Sequence, residues 1–133
     1  MEVVFPATDE SLQKAMQTVE EQLEAAGCSP KNQMKIMVAL EELFVNVAHY
    51  AYDGKEGQVI LNLDIEDDTM VLKLKDSGKP FNPLAKEDPD ITLGAGERQI
   101  GGLGIFMVKK TMDDFTYNYE DGQNVVTITH KIK

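Results

Sequence analysis

The stretch "ALEELFVNVAHYAY" (residues 39–52) is an apolar run that carries two polar residues on its inward face. Its apolar residues recur at helical spacing, which predicts a buried helix. Glu42 and Asn46 are four residues apart, so they lie one above the other on that helix. Asparagine is a poor interior helix residue because its amide competes for backbone hydrogen bonds. The pair therefore either finds partners within the protein or binds a ligand.

The composition is that of an ordinary globular protein, with 42% hydrophobic and 27% charged residues in 133. This length suits a single domain, which we expect to span residues 1–133. The formal net charge of −10 repels phosphate backbones and argues against binding to nucleic acid or anionic membranes. No apolar run approaches the roughly 20 residues that span a bilayer, and a lone Cys28 provides no disulfide framework, so we expect a cytoplasmic protein.

Two helices are predicted in the first half of the chain. Thr8 is a typical cap for the first helix, and Gly27 ends it. Ser29 and Pro30 then follow the order of a cap and a first helical residue. The second helix, which contains the opening stretch, should run to about Tyr52.

Alternating apolar residues predict five strands around these helices. A short strand at 3–5 precedes them, and a hairpin pairs 59–65 with 70–74. A third helix is predicted from Ile105 to about Asp113, and a final hairpin from 115 to 132 turns at "DG". The predicted fold class is α+β, with a largely antiparallel five-stranded sheet and the helices on one face, in two layers.

Glu42 and Asn46 have the chemistry of a Mg²⁺–phosphate site. An amide oxygen is a hard ligand for Mg²⁺, and a neighbouring carboxylate can act as a general base. The simpler interpretation is a partly exposed polar pair, which is common in helices.

The segment "DSGKPFNP" (76–83) directly follows a predicted strand. Asp76 could accept a hydrogen bond from an exocyclic amine such as that of adenine, and Gly78 would let the backbone approach a flat ring. Phe81 would help to seal the turn. An Asp followed by Gly is also what an ordinary turn contains.

The segment "GGLG" (101–104) immediately precedes the third predicted helix. Gly101, Gly102 and Gly104, with Leu103 between them, could expose N–H groups to an anion where the helix dipole also favours negative charge. Flexible helix starts are common, and no βαβ unit surrounds these glycines, so a Rossmann interpretation fails.

The three motifs in this order resemble the histidine-kinase-like ATPase superfamily, the GHKL or Bergerat ATP-binding fold, over nearly the whole chain. Glu42 and Asn46 match its N-box, 76–81 its first glycine box and 101–104 its second. The variants "DSGKPFNP" and "GGLGIFMVKKTMD" look most like the short serine kinases that act as anti-sigma factors.

The resemblance implies a set of roles around ATP and Mg²⁺. Asn46 would coordinate the metal, Asp76 would bind adenine with Gly78 and Phe81 beside it, and Glu42 would be the catalytic base. The second glycine box, with Gly101, Gly102, Leu103 and Gly104, would support the phosphates.

Two further residues carry open alternatives, and a third has one preferred explanation. Arg98 lies in the segment 82–100, which would form the nucleotide lid; it would reach a phosphate or remain a solvated loop charge. Thr127 would lie near adenine as family threonines do, or reflect ordinary strand propensity. His49 is best explained as a helix-end residue, where a positive charge is favourable.

The implied function is a protein serine/threonine kinase that phosphorylates a serine of an anti-anti-sigma (STAS-domain) protein and sequesters a sigma factor. The resemblance also implies a homodimer. The alternative is a nucleotide-gated binding module that regulates a partner without phosphotransfer.

Overall fold

The computed structural model describes residues 1–85 and 102–133. These residues form three α-helices, five strands and one short 3-10 turn. In chain order the elements are β1 (Glu2–Pro6), α1 (Asp9–Ala25), α2 (Pro30–Tyr50), β2 (Gln58–Glu66), β3 (Thr69–Asp76), the 3-10 turn (Pro83–Ala85), α3 (Gly102–Thr111), β4 (Asp114–Glu120) and β5 (Gln123–Lys131). The predictions for Arg98 and Gly101, and most of the predicted lid, lie outside the described residues.

The five strands form one antiparallel sheet in the order β1-β2-β3-β5-β4. The predicted fold class, α+β with helices on one face, is confirmed. The core residues of the central strands alternate along each strand and lie on the one sheet face that packs against the helices. They are Val59, Leu61, Leu63, Met70, Leu72, Leu74 and Ile128. Alternation therefore assigned the buried face correctly.

Side chains that cap the first two helices set their starting points. The hydroxyl of Thr8 accepts a hydrogen bond from the backbone N–H of Ser11 at 3.3 Å, and that of Ser29 accepts one from Asn32 at 3.2 Å. Each bond satisfies one of the N–H groups that a helix start leaves unpaired. Gly27 adopts a positive φ of 77° just after α1, as a helix-ending glycine does.

Helix α2 ends at Tyr50, two residues before the predicted end at Tyr52. The carbonyl of Ala51 accepts a hydrogen bond from the backbone N–H of Lys79 at 3.0 Å. This carbonyl is thus bonded to the segment that follows β3, and the helix ladder stops. The end of α2 is thereby fixed against the end of β3.

Helix α2 is the centre of the core. Ile36, Leu40 and Phe44 are fully buried on it, and Phe44 lies edge-to-face against Phe5 of β1 with 6.3 Å between ring centroids. Burying a side chain of this size contributes roughly 1.5–3 kcal/mol to the stability of the fold.

No helix within residues 1–85 and 102–133 combines the length and apolar character needed to cross a membrane.

Candidate nucleotide-binding site

Glu42 and Asn46 are both half-buried on α2. Within the part of the chain that the structure describes, neither side chain makes a hydrogen bond or an ion pair. Half-buried polar groups without protein partners are available to bind a ligand. The structure thus shows no internal partner for this pair among residues 1–85 and 102–133, and binding of a ligand stays a prediction.

Gly104 lies directly against the carboxylate of Glu42. A Cβ atom at residue 104 would lie 1.9 Å from Oε2 of Glu42 and 2.7 Å from its Cδ, so any larger residue at this position would displace the carboxylate. The N-box and the second glycine box, more than fifty residues apart in the chain, therefore meet. The contact is between the middle of α2 and the start of α3.

Helix α3 begins at Gly102, and the prediction that it begins at Ile105 is wrong by three residues. Glycine has low helix propensity, so the sequence pattern did not indicate a helix at Gly102. Burial of Ile105, Val108 and Met112 in the core offsets that cost. Gly102, Leu103 and Gly104 thus form the first turn, whose N–H groups have no partner within the helix and favour a nearby anion.

Asp76, at the end of β3, is a buried carboxylate with 5% of its surface exposed. Its Oδ1 accepts hydrogen bonds from the backbone N–H of Gly78 at 3.0 Å and from the amide of Asn124 at 2.9 Å. Burial raises the pKa of Asp76, and these two hydrogen bonds partly oppose the rise. Its Oδ2 receives no hydrogen bond from residues 1–85 or 102–133. A buried acceptor is therefore left for a ligand donor.

Asn124, on β5, is the residue that the sequence analysis missed. It is 4% exposed, and its amide nitrogen donates to Asp76 and to the carbonyl of Lys79, each at 2.9 Å. Its amide oxygen accepts from the backbone N–H of Phe81 at 3.0 Å and from the hydroxyl of Tyr117 at 2.5 Å. This side chain therefore joins β5, β4 and the segment after β3 around Asp76.

Gly78 lies against the end of α2. A Cβ at this position would be 2.2 Å from the carbonyl oxygen of Ala51, which is backbone and cannot move away cheaply. The hydroxyl of Tyr52 accepts a hydrogen bond from the backbone N–H of Ser77 at 2.9 Å. The first glycine box is thus held to α2 on one side and to Asn124 on the other.

One stretch of α2 connects the two glycine boxes. Gly104 contacts Glu42 and Gly78 contacts Ala51, nine residues later, which corresponds to about 13 Å along a helix. Asn46 lies between these contacts, about one turn beyond Glu42. The stretch has a carboxylate acceptor at one end and a helix N-terminus at the other, an arrangement that suits a nucleotide bound lengthwise.

Thr127 is not brought to this stretch. It pairs with Lys73 of β3 and Thr116 of β4, whereas Asp76 pairs with Asn124. Because side chains alternate along a strand, Thr127 is on the sheet face opposite to Asp76 and to the helices.

His49 has a partner that the sequence analysis did not identify. Its Nε2 lies 2.8 and 2.9 Å from the two carboxylate oxygens of Asp9. The pair joins the start of α1 to the end of α2, which is consistent with a structural position at the helix end.

The residues present fit a divalent cation only together with a phosphate ligand. Among residues 1–85 and 102–133, no three His, Cys, Asp or Glu side chains converge as a metal-binding group. Asn46 offers an unengaged amide oxygen, and Mg²⁺ in nucleotide sites takes most of its ligands from phosphates and water.

Comparison with known proteins identifies the family to which the chain is similar. A family model described as the histidine kinase-like ATPase domain matches residues 5–130. The serine-protein kinase RsbW of Listeria monocytogenes is 28% identical over 106 residues, covering 76% of this chain and 68% of that protein. The RsbW of Oceanobacillus iheyensis is 26% identical over 132 residues, covering 92% and 80%.

Two solved structures have the same fold. The RsbU and RsbW domains of Rv1364c from Mycobacterium tuberculosis match with a TM-score of 0.68 at 16% identity, covering 99% of this chain and 32% of that one. The histidine kinase AdeS of Acinetobacter baumannii matches with a TM-score of 0.56 at 14% identity, covering 100% of this chain and 68% of that one. This chain therefore spans about a third of the mycobacterial chain.

Proposed function

The chain belongs to the histidine kinase-like ATPase family, and from this we propose that it is an ATP-dependent serine-protein kinase that acts as an anti-sigma factor. The relatives named serine-protein kinase support the activity, and their modest identity leaves the substrate to be proposed. The observation that carries the proposal is the meeting of Glu42 with the glycine-containing first turn of α3.

Adenine would bind at the Asp76 end. The unengaged Oδ2 of Asp76 would accept a hydrogen bond from the exocyclic amine, and Gly78 offers a surface without a side chain to the flat ring. Asn124 would act indirectly, since its hydrogen bond to Oδ1 orients the carboxylate. In this proposal Asn124, rather than Thr127, is the β5 residue that supports adenine recognition.

The phosphates would bind at the first turn of α3, with Gly102 and Gly104 providing close backbone approach. Asn46 would hold Mg²⁺, which when bound neutralises phosphate charge. Arg98 remains a candidate phosphate ligand from outside the described residues.

Glu42 would act as the general base. The serine oxygen of the partner bonds to the γ-phosphorus, the bond from that phosphorus to its bridging oxygen breaks, and ADP leaves. The serine proton passes to the carboxylate of Glu42. Because phosphoryl transfer depends chiefly on positioning and charge neutralisation, this small set of groups is sufficient.

The proposed substrate is a STAS-domain anti-anti-sigma protein, and the proposed second partner is a sigma factor. Phosphorylation of the STAS-domain protein would release it from the chain. The chain, acting as a homodimer, would then be free to bind the sigma factor. Such a switch requires that the two partners compete for the chain with affinities that depend on the nucleotide.

Glu42→Gln tests the catalytic assignment. We expect the rate of serine labelling from radiolabelled ATP to fall about 10²–10⁴-fold, because a positioned base contributes that much. The affinity for ATP should stay within about twofold, since the carboxamide keeps the shape of the side chain. Glu21→Gln, an exposed change on α1, is the control and should behave as the unmodified protein.

Two outcomes would contradict the kinase proposal. If the unmodified protein binds ATP but labels no serine of a STAS-domain partner that it binds, phosphotransfer is wrong. If regulation of the partner also survives Glu42→Gln unchanged, the chain is a nucleotide-gated binding module.

A further inference from the structure

A groove of about 780 Å³ runs along the surface between α1 and α2. Its lining is mixed and includes Gln13 and Gln33 together with the apolar side chains of Leu12, Met16, Cys28, Met34 and Met37. Four of these pack against the core, but Met34 leaves 67% of its surface exposed. Lining positions on α1 extend from Leu12 to Glu24, which corresponds to about 18 Å, or three helical turns.

The rim of the groove is acidic. Glu20, Glu24 and Glu41 line it, and no lysine or arginine is among its lining residues. Glu24 accepts a long hydrogen bond of 3.4 Å from Gln33, and within residues 1–85 and 102–133 no cation pairs with any of the three carboxylates. The whole chain carries a formal net charge of −10, so the field around this rim favours a cation.

We propose that this groove binds a basic amphipathic helix of a partner protein. The apolar side chains along this groove, which is about three turns long, would contact the apolar stripe of one helix, and lysines or arginines flanking that stripe would meet the three glutamates. Methionine side chains adapt to different apolar partners because they are unbranched and flexible.

Charge argues against the other occupants of an exposed apolar surface. Nucleic acids and anionic membranes are repelled by the acidic rim. A second copy of this chain would bring its own net charge of −10, and its α1 carries four glutamates and one aspartate against a single lysine. A basic amphipathic helix is the occupant that suits both the apolar side chains in the groove and its acidic rim.

The groove is distinct from the nucleotide site. Glu41 lines the groove while the adjacent Glu42 contacts Gly104, since neighbouring residues on a helix point about 100° apart. The proposal therefore goes beyond the proposed kinase activity and can fail without affecting it.

Cys28 provides a direct readout because it is the one cysteine of the chain and lies in the groove. The probe is a synthetic helical peptide of about 18 residues, with leucines at one face and lysines elsewhere. Saturating peptide should slow alkylation of Cys28 by iodoacetamide about fivefold or more, because a bound helix covers the thiol. A peptide with every lysine replaced by glutamate should give no protection.

Two substitutions on α2 form a matched pair. Met34→Lys places a charge in the groove, whereas Val38→Lys places one on the same helix at a 47% exposed position outside it. Peptide affinity should fall about tenfold in Met34→Lys and stay near the original in Val38→Lys. Both side chains are exposed, so both variants should fold and bind ATP normally.

Three results would overturn the proposal. Equal protection by the acidic peptide would remove the role of the rim, and equal weakening by both lysine substitutions would mean that attraction is non-specific. Protection of Cys28 that increases with protein concentration, without peptide, would mean that a second copy occupies the groove.

Discussion

At the Asp76 end of the proposed nucleotide site the buried carboxylate is held by Gly78 and Asn124, whereas at the other end the side chains of Glu42 and Asn46 make no hydrogen bonds within residues 1–85 and 102–133. The first end is organised before any ligand binds, and Oδ2 of Asp76 receives no hydrogen bond from the part of the chain that the structure describes. In the proposed site, the polar side chains at the second end would gain partners when a ligand binds. In such a site the adenine end is fixed and the phosphate end is completed by its ligand. The nucleotide would then control the structure of the phosphate end without altering the adenine end.

The largest expected effect comes from breaking the organised end. Asn124→Ala removes one partner from each of four groups, including Asp76 and the backbone of Phe81. Because buried polar groups without partners are costly, we expect the free energy of unfolding to fall by about 3 kcal/mol, together with loss of ATP affinity. Urea unfolding and calorimetry measure both.

Thr127→Ala is the matched control for that change. It lies three residues further along the same strand but on the opposite face of the sheet. Its unfolding free energy should change by no more than about 0.5 kcal/mol, and its ATP affinity should not change. If Thr127→Ala weakens ATP binding and Asn124→Ala does not, the family-based assignment of Thr127 is right and the role given to Asn124 is wrong.

A smaller effect is expected at the other end. Gly104→Ala places a methyl group where the carboxylate of Glu42 now lies, and that flexible side chain can move away. Alanine is up to about 1 kcal/mol more favourable than glycine in a helix, so stability should be kept or raised. Phosphotransfer should nevertheless fall about tenfold, because the base is displaced.

A double substitution tests whether that loss acts through Glu42. In a protein that already carries Glu42→Gln, Gly104→Ala should lower transfer no further, since the base is already absent. An additional tenfold loss in the double variant would mean that Gly104 acts through the phosphates instead.

The smallest expected effect concerns a third polar cluster, away from the site. His130 is 2% exposed, its Nδ1 accepts from the backbone N–H of Asp113 at 3.2 Å, and its Nε2 lies 3.3 Å from Oδ1 of Asn32. Burial lowers the pKa of His130, opposed by the charge of Asp113 and reinforced by Lys35 and Lys131. The folded state therefore disfavours the protonated ring relative to the unfolded chain.

This shift predicts a pH dependence of known sign. A group with a lowered folded pKa contributes stability that is present above the unfolded value near 6.5 and is lost as pH falls through the folded pKa. Between pH 7 and 5 the unmodified protein should lose more stability than His130→Gln does. His49→Gln, at the exposed ion pair with Asp9, is the control. If the two substitutions have the same pH profile, burial of His130 is not the cause.

Local signals predicted most of the fold. Caps at Thr8 and Ser29 and the alternation of the strands indicated where elements begin and which face is buried, because these depend on neighbouring residues. The start of α3 was predicted wrongly since glycines have low intrinsic helix propensity, and the packing that stabilises them there comes from distant residues.

The site was also predictable only in part, because some of its contacts join residues that are distant in the sequence. Glu42, Asn46, Asp76 and Gly78 stood out as polar or glycine positions in order along the chain, and the structure shows the contacts of Glu42 with Gly104 and of Gly78 with Ala51. Asn124 follows a "DG" turn and looks like a turn residue. One signal could have found it: Asn124 is in phase with Val126, Ile128 and His130, so it occupies an inward position, whereas Thr127 is out of phase.

The most direct measurement of the central claim is calorimetric titration of Mg·ATP into the unmodified protein and into Asp76→Asn. We expect the unmodified protein to bind and Asp76→Asn to bind about 100-fold more weakly, because an amide N–H₂ would replace the acceptor that faces the base. Thermal unfolding at pH 7 should show Asp76→Asn to be at least as stable, since burial raises the pKa of Asp76 and the amide removes a buried charge. No heat of binding in the unmodified protein, or equal binding by a stably folded Asp76→Asn, would contradict a nucleotide site on this face of α2.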